Sequence, residues 1–323
     1  MDNTPKSFQI LCLDGGGIKG LFSAAVLATL ENDLDIKIED HFDLIAGTST
    51  GGIIALGLGL GLRPIEIVEF YLEHGNSIFD NQGFKGTLKN LQHIFRPKYR
   101  AEPLEAALKT VFKERILADS TKRLIIPATN LDTNDAYLFK TPHHEKLKRD
   151  WKVPMWQIAR SASAAPTFFQ ASTHVGHVRL IDGAIWCNSP VQISIAEAIG
   201  TLNVPLSAIK VFSLGTTAGM SHQGSLENAG LLQWAKPILE IMMSLQVKSA
   251  HAQANNLIGE ENVCRLNPIT PMNLFALDKA SAQKLQGWAS THSRKISPEF
   301  SEKFLNHTAA PYQPLYSNAA VKS

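Results

Sequence analysis

The sequence predicts an α/β protein, a three-layer arrangement in which a largely parallel sheet lies between helices. Three observations lead there. Apolar runs of strand length alternate with stretches of helical periodicity. Two glycine-rich turns each follow such a run and precede a helical stretch, which is where open α/β sheets bind ligands. The composition, 44% hydrophobic and 19% charged, suits a well-packed globular enzyme.

Taken in order, the first strand-like run is Phe8–Leu13, followed by the glycine turn Asp14–Gly20 and a helical pattern over Leu21–Leu30. A second strand is expected over Phe42–Ala46, then a turn at Gly47–Gly51 and a helix over Gly52–Leu60. Pro64–Leu72 begins with proline at a helix start. Phe79–Arg100 mixes Phe84, Leu88, Leu91, Ile94 and Phe95 with Lys85, Lys89, Arg96, Lys98 and Arg100. It suits a connecting helix packed on the core, with a lid or membrane-facing flap as the sharper alternative. Pro103–Ile116 puts Leu104, Leu108, Val111 and Phe112 on one helical face. Strands are expected at Leu124–Thr129, Val175–Ile181 and Ile209–Leu214, with a helix over Pro190–Ile199. Leu226–Leu257 forms one long helix, or one broken near Pro237, whose apolar face covers the sheet or makes a homodimer contact. Pro311 and Pro314 among small and polar residues make 309–323 a loosely held tail. With no internal repeat or low-complexity linker, residues 1–308 are expected to be a single domain.

Several classes are disfavoured. A net charge of +2 is too small to argue for a nucleic-acid polymer as partner, and it does not oppose an anionic membrane. Met1–Phe8 has no apolar core of a signal peptide. Cys12, Cys187 and Cys264 are odd in number and widely spaced, as for buried thiols in a reducing cytoplasm. Leu44–Leu62 holds nineteen residues without a charge, near the length of a membrane span. Its six glycines and Thr48-Ser49-Thr50 fit a sharp turn better. There is no H-E-x-x-H, no paired-cysteine spacing and no EF-hand loop, so neither a metal nor a cofactor is expected.

The chemistry centres on Gly47-Thr48-Ser49-Thr50-Gly51, a G-x-S-x-G between a strand-like run and a helix. Gly47 and Gly51 leave room for a turn that holds the Ser49 hydroxyl at the strand end, in front of a helix N-terminus. In Asp14-Gly15-Gly16-Gly17-Ile18-Lys19-Gly20, three consecutive glycines expose N–H groups able to cradle an oxyanion or a phosphate. Gly15, Gly17 and Gly20 also satisfy the dinucleotide-binding fingerprint, with Asp35 about twenty positions on. The third segment, Leu180-Ile181-Asp182-Gly183-Ala184, supplies an aspartate at a strand end and breaks the tie. Asp182 serves as base to Ser49, with Gly183 supporting it, whereas a dinucleotide enzyme leaves both residues without a role.

These three segments, with Ser161–Phe169, resemble the motifs of patatin-like phospholipases over roughly residues 8–216. The resemblance implies a patatin-like fold and a lipid acyl hydrolase with a Ser49–Asp182 dyad, no catalytic histidine, and an oxyanion hole at Gly15, Gly16 and Gly17. It implies membrane phospholipid as substrate and action from the cytoplasm at the inner face of the membrane. Within that family the N-terminal half is similar to bacterial effectors of anti-phage defence switched on by cyclic nucleotides, which implies a cyclic dinucleotide activator. The alternative is a constitutive, non-specific lipid or ester hydrolase. Asp14 is expected to fix the glycine turn by local hydrogen bonds, and Lys19 to be a solvated surface lysine. A histidine triad in the order Ser…Asp…His would need His222 or His251; His174 and His177 precede the aspartate.

Overall fold

The structure, a computed structural model, describes residues 7–79, 96–219, 226–227, 229–270 and 281–317. Its strands are β1 (Phe8–Leu13), β2 (Leu44–Gly47), β3 (Arg123–Asn130), β4 (Asp135–Lys140), β5 (Leu180–Asp182), β6 (Ile209–Leu214), β7 (Ala218–Gly219), β8 (Val263–Leu266) and β9 (Ile269–Thr270). The helices described are α1 (Gly20–Leu34), α2 (Thr50–Gly59), α3 (Pro64–Ile78), α4 (Glu102–Phe112), α5 (Met155–Ala162), α6 (Ala184–Cys187), α7 (Val191–Gly200), α8 (Leu231–Ile258) and α9 (Ala282–Phe304).

The main sheet runs β4-β3-β2-β1-β6-β8, and β5 also pairs with β3. The pairs among β3, β2, β1, β6 and β8 are parallel, while β4 and β5 run antiparallel to β3. β1 is central and buried along its whole length, so it is a continuous apolar run rather than an alternating one. Its side chains divide between two cores. Leu11 and Leu13 pack with α1, α2, α3 and α9, whereas Ile10 and Cys12 pack with Val191 and Ile195 of α7 and Ala254 and Ile258 of α8. The three expected layers follow.

The register of β3 prepares the site. The same edge of β3 pairs first with β2, where Ala46 lies opposite Ile125, and then with β5, where Asp182 lies opposite Ala128. Because β2 is parallel and β5 antiparallel to β3, their C-terminal ends point at each other. Asp182 therefore lies about 10 Å along β3 from Ala46, at ~3.3 Å per residue, and the turn after β2 fills that gap.

Some elements depart from expectation. The strand expected over Val175–Ile181 begins only at Leu180, because Gly176 and His177 adopt left-handed backbone at φ 57° and 60°. The strand expected from Phe42 begins at Leu44, since the Asp43 carboxylate accepts the Gln9 N–H at 2.8 Å in place of a ladder bond. β4, β8 and α9 lie outside the expected elements. α9 packs Phe300 and Phe304 against Phe42 and Phe212, with the Phe212 and Phe300 rings 4.9 Å apart. α8 runs unbroken through Pro237. Leu44–Leu62 divides into β2 and α2, and no described helix is long and apolar enough to cross a membrane. In the segment expected to be a loose tail, Ala309 donates to Asp40 O at 2.7 Å and Leu315 to Pro142 O at 2.9 Å. The flap segment Phe79–Arg100 lies mostly outside the described residues. The three cysteines are buried, unpaired thiols; burial pushes Cys12 up to about 12.

Candidate active site

Ser49 occupies the turn between β2 and α2 at φ 55° and ψ −121°, a conformation that costs a non-glycine residue about 1–3 kcal/mol. Its neighbours make the turn possible. A Cβ on Gly47 would lie 2.0 Å from Gly51 O, and one on Gly51 would lie 2.3 Å from Leu13 O. Only glycine admits this approach of strand, turn and helix.

Asp182 arrives from the other side at the end of β5. The Ser49 hydroxyl donates to Asp182 Oδ2 at 2.5 Å, and the Ala184 N–H donates to Oδ1 at 2.8 Å. Backbone bonds hold the aspartate in place: its N–H donates to Ala164 O at 3.1 Å, and Thr129 Oγ1 donates to its carbonyl at 3.1 Å. Asp182 is 1% exposed. Burial raises its carboxyl to about 6, against the opposing pull of the bonds from Ser49 and Ala184. A carboxylate poised near neutrality, within hydrogen-bond reach of a strained serine, is able to take that hydroxyl's proton.

The glycine loop lies against the same serine. A Cβ on Gly15 would come within 3.3 Å of Ser49 Cβ. Gly15 spends its N–H on Asn188 O at 3.0 Å, which leaves Gly16 and Gly17, both on the cavity wall beside Ser49, as the loop's candidate donors. Asp14 is held differently from the local hydrogen bonds expected for it. It is buried and ion-paired with Arg265 of β8, whose other nitrogen donates to Ser213 Oγ at 2.7 Å. Arg265 lies outside every motif; its one signal is a lone charge within the apolar strand Val263–Leu266. Lys19 is not a solvated surface lysine. It donates to Thr217 O at 3.1 Å, and burial lowers it to about 8 while Glu240 opposes the shift.

The serine and aspartate open on a narrow apolar cavity of about 110 Å³, walled among others by Ile53, Phe70, Ile78, Leu104, Phe169 and Leu239. The wall includes Phe79, whose ring meets Tyr99 at 5.5 Å and Phe169 at 6.3 Å.

The described histidines stand apart from this pair. His251 Nε2 is 3.3 Å from Ser189 Oγ and 3.4 Å from Ser213 Oγ, and burial beside Arg265 lowers it to about 3, so it is neutral. His174 bonds Glu105 at 3.1 Å, His177 sits in the turn before β5, and His222 lies outside the described residues. The dinucleotide alternative finds no support. Asp35 is exposed at the C-terminus of α1, the far end of that helix from the glycine loop.

A family model described as patatin-like phospholipase matches residues 11–195, which contain the glycine loop, Ser49 and Asp182. Three curated bacterial proteins are similar over most of their length, and each is named cGAMP-activated phospholipase. The one from Pseudomonas aeruginosa is 30% identical, over 85% of this chain and 84% of its own. The one from Escherichia coli is 29% identical, over 95% and 94%. The one from Vibrio cholerae is 28% identical, over 91% and 92%.

Proposed function

The chain belongs to the patatin-like phospholipase family and is a lipid acyl hydrolase; from that premise we propose that Ser49 and Asp182 alone carry its proton transfers, and that a cyclic dinucleotide switches it on. The observation behind the first part is the 2.5 Å bond between Ser49 Oγ and a buried Asp182 whose carboxyl stands near 6, on the wall of an apolar cavity.

The reaction proceeds in two halves. Asp182 Oδ2 takes the proton as Ser49 Oγ attacks the ester carbonyl, and the N–H groups of Gly16 and Gly17 stabilise the tetrahedral oxyanion. The protonated Asp182 then gives that proton to the departing alkoxide of the lysophospholipid, leaving the acyl group on Ser49. Water enters, Asp182 takes its proton, and the hydroxide attacks the acyl-serine. Collapse returns the proton to Ser49 and frees the fatty acid. An aspartate with an ordinary value near 4 is a weak base at neutrality. With its value at about 6, Asp182 is stronger yet still roughly nine-tenths ionised at pH 7.

The second part rests on the three relatives, whose names all specify activation by cGAMP and whose similarity spans nearly the whole chain. The cell setting that goes with it is anti-phage defence, with phospholipid cut from the inner face of the membrane. Fatty-acid release from phospholipid vesicles, with and without cGAMP and a panel of other cyclic dinucleotides, tests it beside Ser49→Ala. The expected result is release that needs both Ser49 and one nucleotide. Release at full rate in the absence of every nucleotide makes the protein a constitutive hydrolase.

A further inference from the structure

α8 is anchored at one end only. Ala250, Ala254 and Ile258 are buried in the core, but no described side chain of the helix before Ala250 is buried. This first half nevertheless carries few charges: Glu240 is the one charged residue between Ile238 and Val247. Its apolar residues form two stripes. Leu239 and Met243, one helical turn apart, line the cavity that holds Ser49. Ile238, Met242 and Leu245, at spacings of four and three, form the neighbouring stripe and are 46%, 47% and 57% exposed. Glu240 lies off that stripe, on the side where it interacts with Lys19 of the glycine loop. Gln246 donates to Ile185 O, tying this half of α8 to the segment just after Asp182.

Met242 and Leu245 border a surface groove beside Trp186 and Ile193 yet stay about half exposed, so this second apolar face of the helix needs a cover. We propose that the Ile238–Met242–Leu245 stripe of α8 docks on the phospholipid bilayer, so that the helix forms the lipid-side wall of the cavity entrance. This rests on the reading that the substrate is bilayer phospholipid. An acyl chain must leave the bilayer to reach Ser49, and one helix places Leu239 and Met243 on the cavity wall and the exposed stripe beside them. A second copy of the chain seated on the stripe would seal that side. Lys248, exposed at the next turn, suits the headgroup phosphates above the inserted stripe.

The test is flotation with vesicles of phosphatidylethanolamine and phosphatidylglycerol, in a Ser49→Ala background so that the lipid persists, with and without the nucleotide panel. Replacing Ile238, Met242 and Leu245 together by serine is expected to weaken vesicle binding on the order of a hundred-fold. With Ser49 restored, the same triple variant hydrolyses a short water-soluble ester at the unaltered rate. Vesicle binding equal to that of the unsubstituted chain overturns the proposal. So does a dimer by sedimentation that the triple variant makes monomeric while vesicle binding holds. Absence of Ser49-dependent hydrolysis of the soluble ester with every nucleotide of the panel strikes the catalytic reading instead, and vesicle binding still decides the docking.

Discussion

In the proposed mechanism one carboxyl, that of Asp182, carries every proton transfer, and its environment has a cost. Burial raises it from an ordinary 3.8 to about 6. The folded protein thus holds the proton more tightly than the unfolded chain does, and stability falls as pH rises from about 4 through about 6. Above that window the penalty is fully present, on the order of 3 kcal/mol. Asp182→Asn removes the charge and keeps the shape. It is expected to melt a few degrees higher than wild type at pH 8, with the advantage vanishing towards pH 4, as thermal unfolding across that range will register. The glycine loop shows the limit of a residue-by-residue reading. The motifs name Asp14, Gly16, Gly17 and Ser49 because a tight turn demands particular residues at fixed spacing. They do not reveal Arg265, which meets Asp14 from 251 positions away. A single arginine in a strand becomes meaningful only once the sheet places β8 beside β6.

At the level of elements, the parallel core was legible because its strands are short, fully apolar and bounded by turn residues. Phe8–Leu13 and Ile209–Leu214 are strands with the bounds their hydropathy suggests. β5 is shorter than its hydropathy suggests because the apolar residues around Gly176 resemble a strand while Gly176 and His177 adopt positive φ. α9 is hidden in the sequence for the opposite reason. It is mostly polar, holds Pro298, and buries a thin line of Leu285, Ala289, Ser293, Phe300 and Phe304. That line nonetheless closes the aromatic cluster over β6. Phe300→Ala is expected to destabilise the fold by about 3–5 kcal/mol, measured by chemical denaturation. The protein that remains folded should keep its ester-hydrolysis rate, because the ring touches neither the cavity nor the glycine loop.

For the whole molecule, the site exists because two strands of opposite direction share one edge of β3. Neither Ser49 nor Asp182 is placed by its own segment; the register of Ala46 on Ile125 and Asp182 on Ala128 brings them together. A G-x-S-x-G and a D-G-A are each common turn sequences, and their partnership was legible only through all three motifs jointly. The exposed stripe of α8 shows as apolar in the sequence, but which face meets the cavity depends on where α6 and the sheet set the helix. The most direct measurement is covalent capture by a fluorophosphonate bearing a long alkyl chain, read by peptide mass spectrometry with and without cGAMP and the other cyclic dinucleotides. One adduct is expected, on Ser49, with its rate rising through about pH 6 as Asp182 ionises; Asp182→Asn should slow it on the order of a thousand-fold or more. An adduct on another residue, or undiminished labelling of Ser49 in Asp182→Asn, would contradict the Ser49–Asp182 assignment.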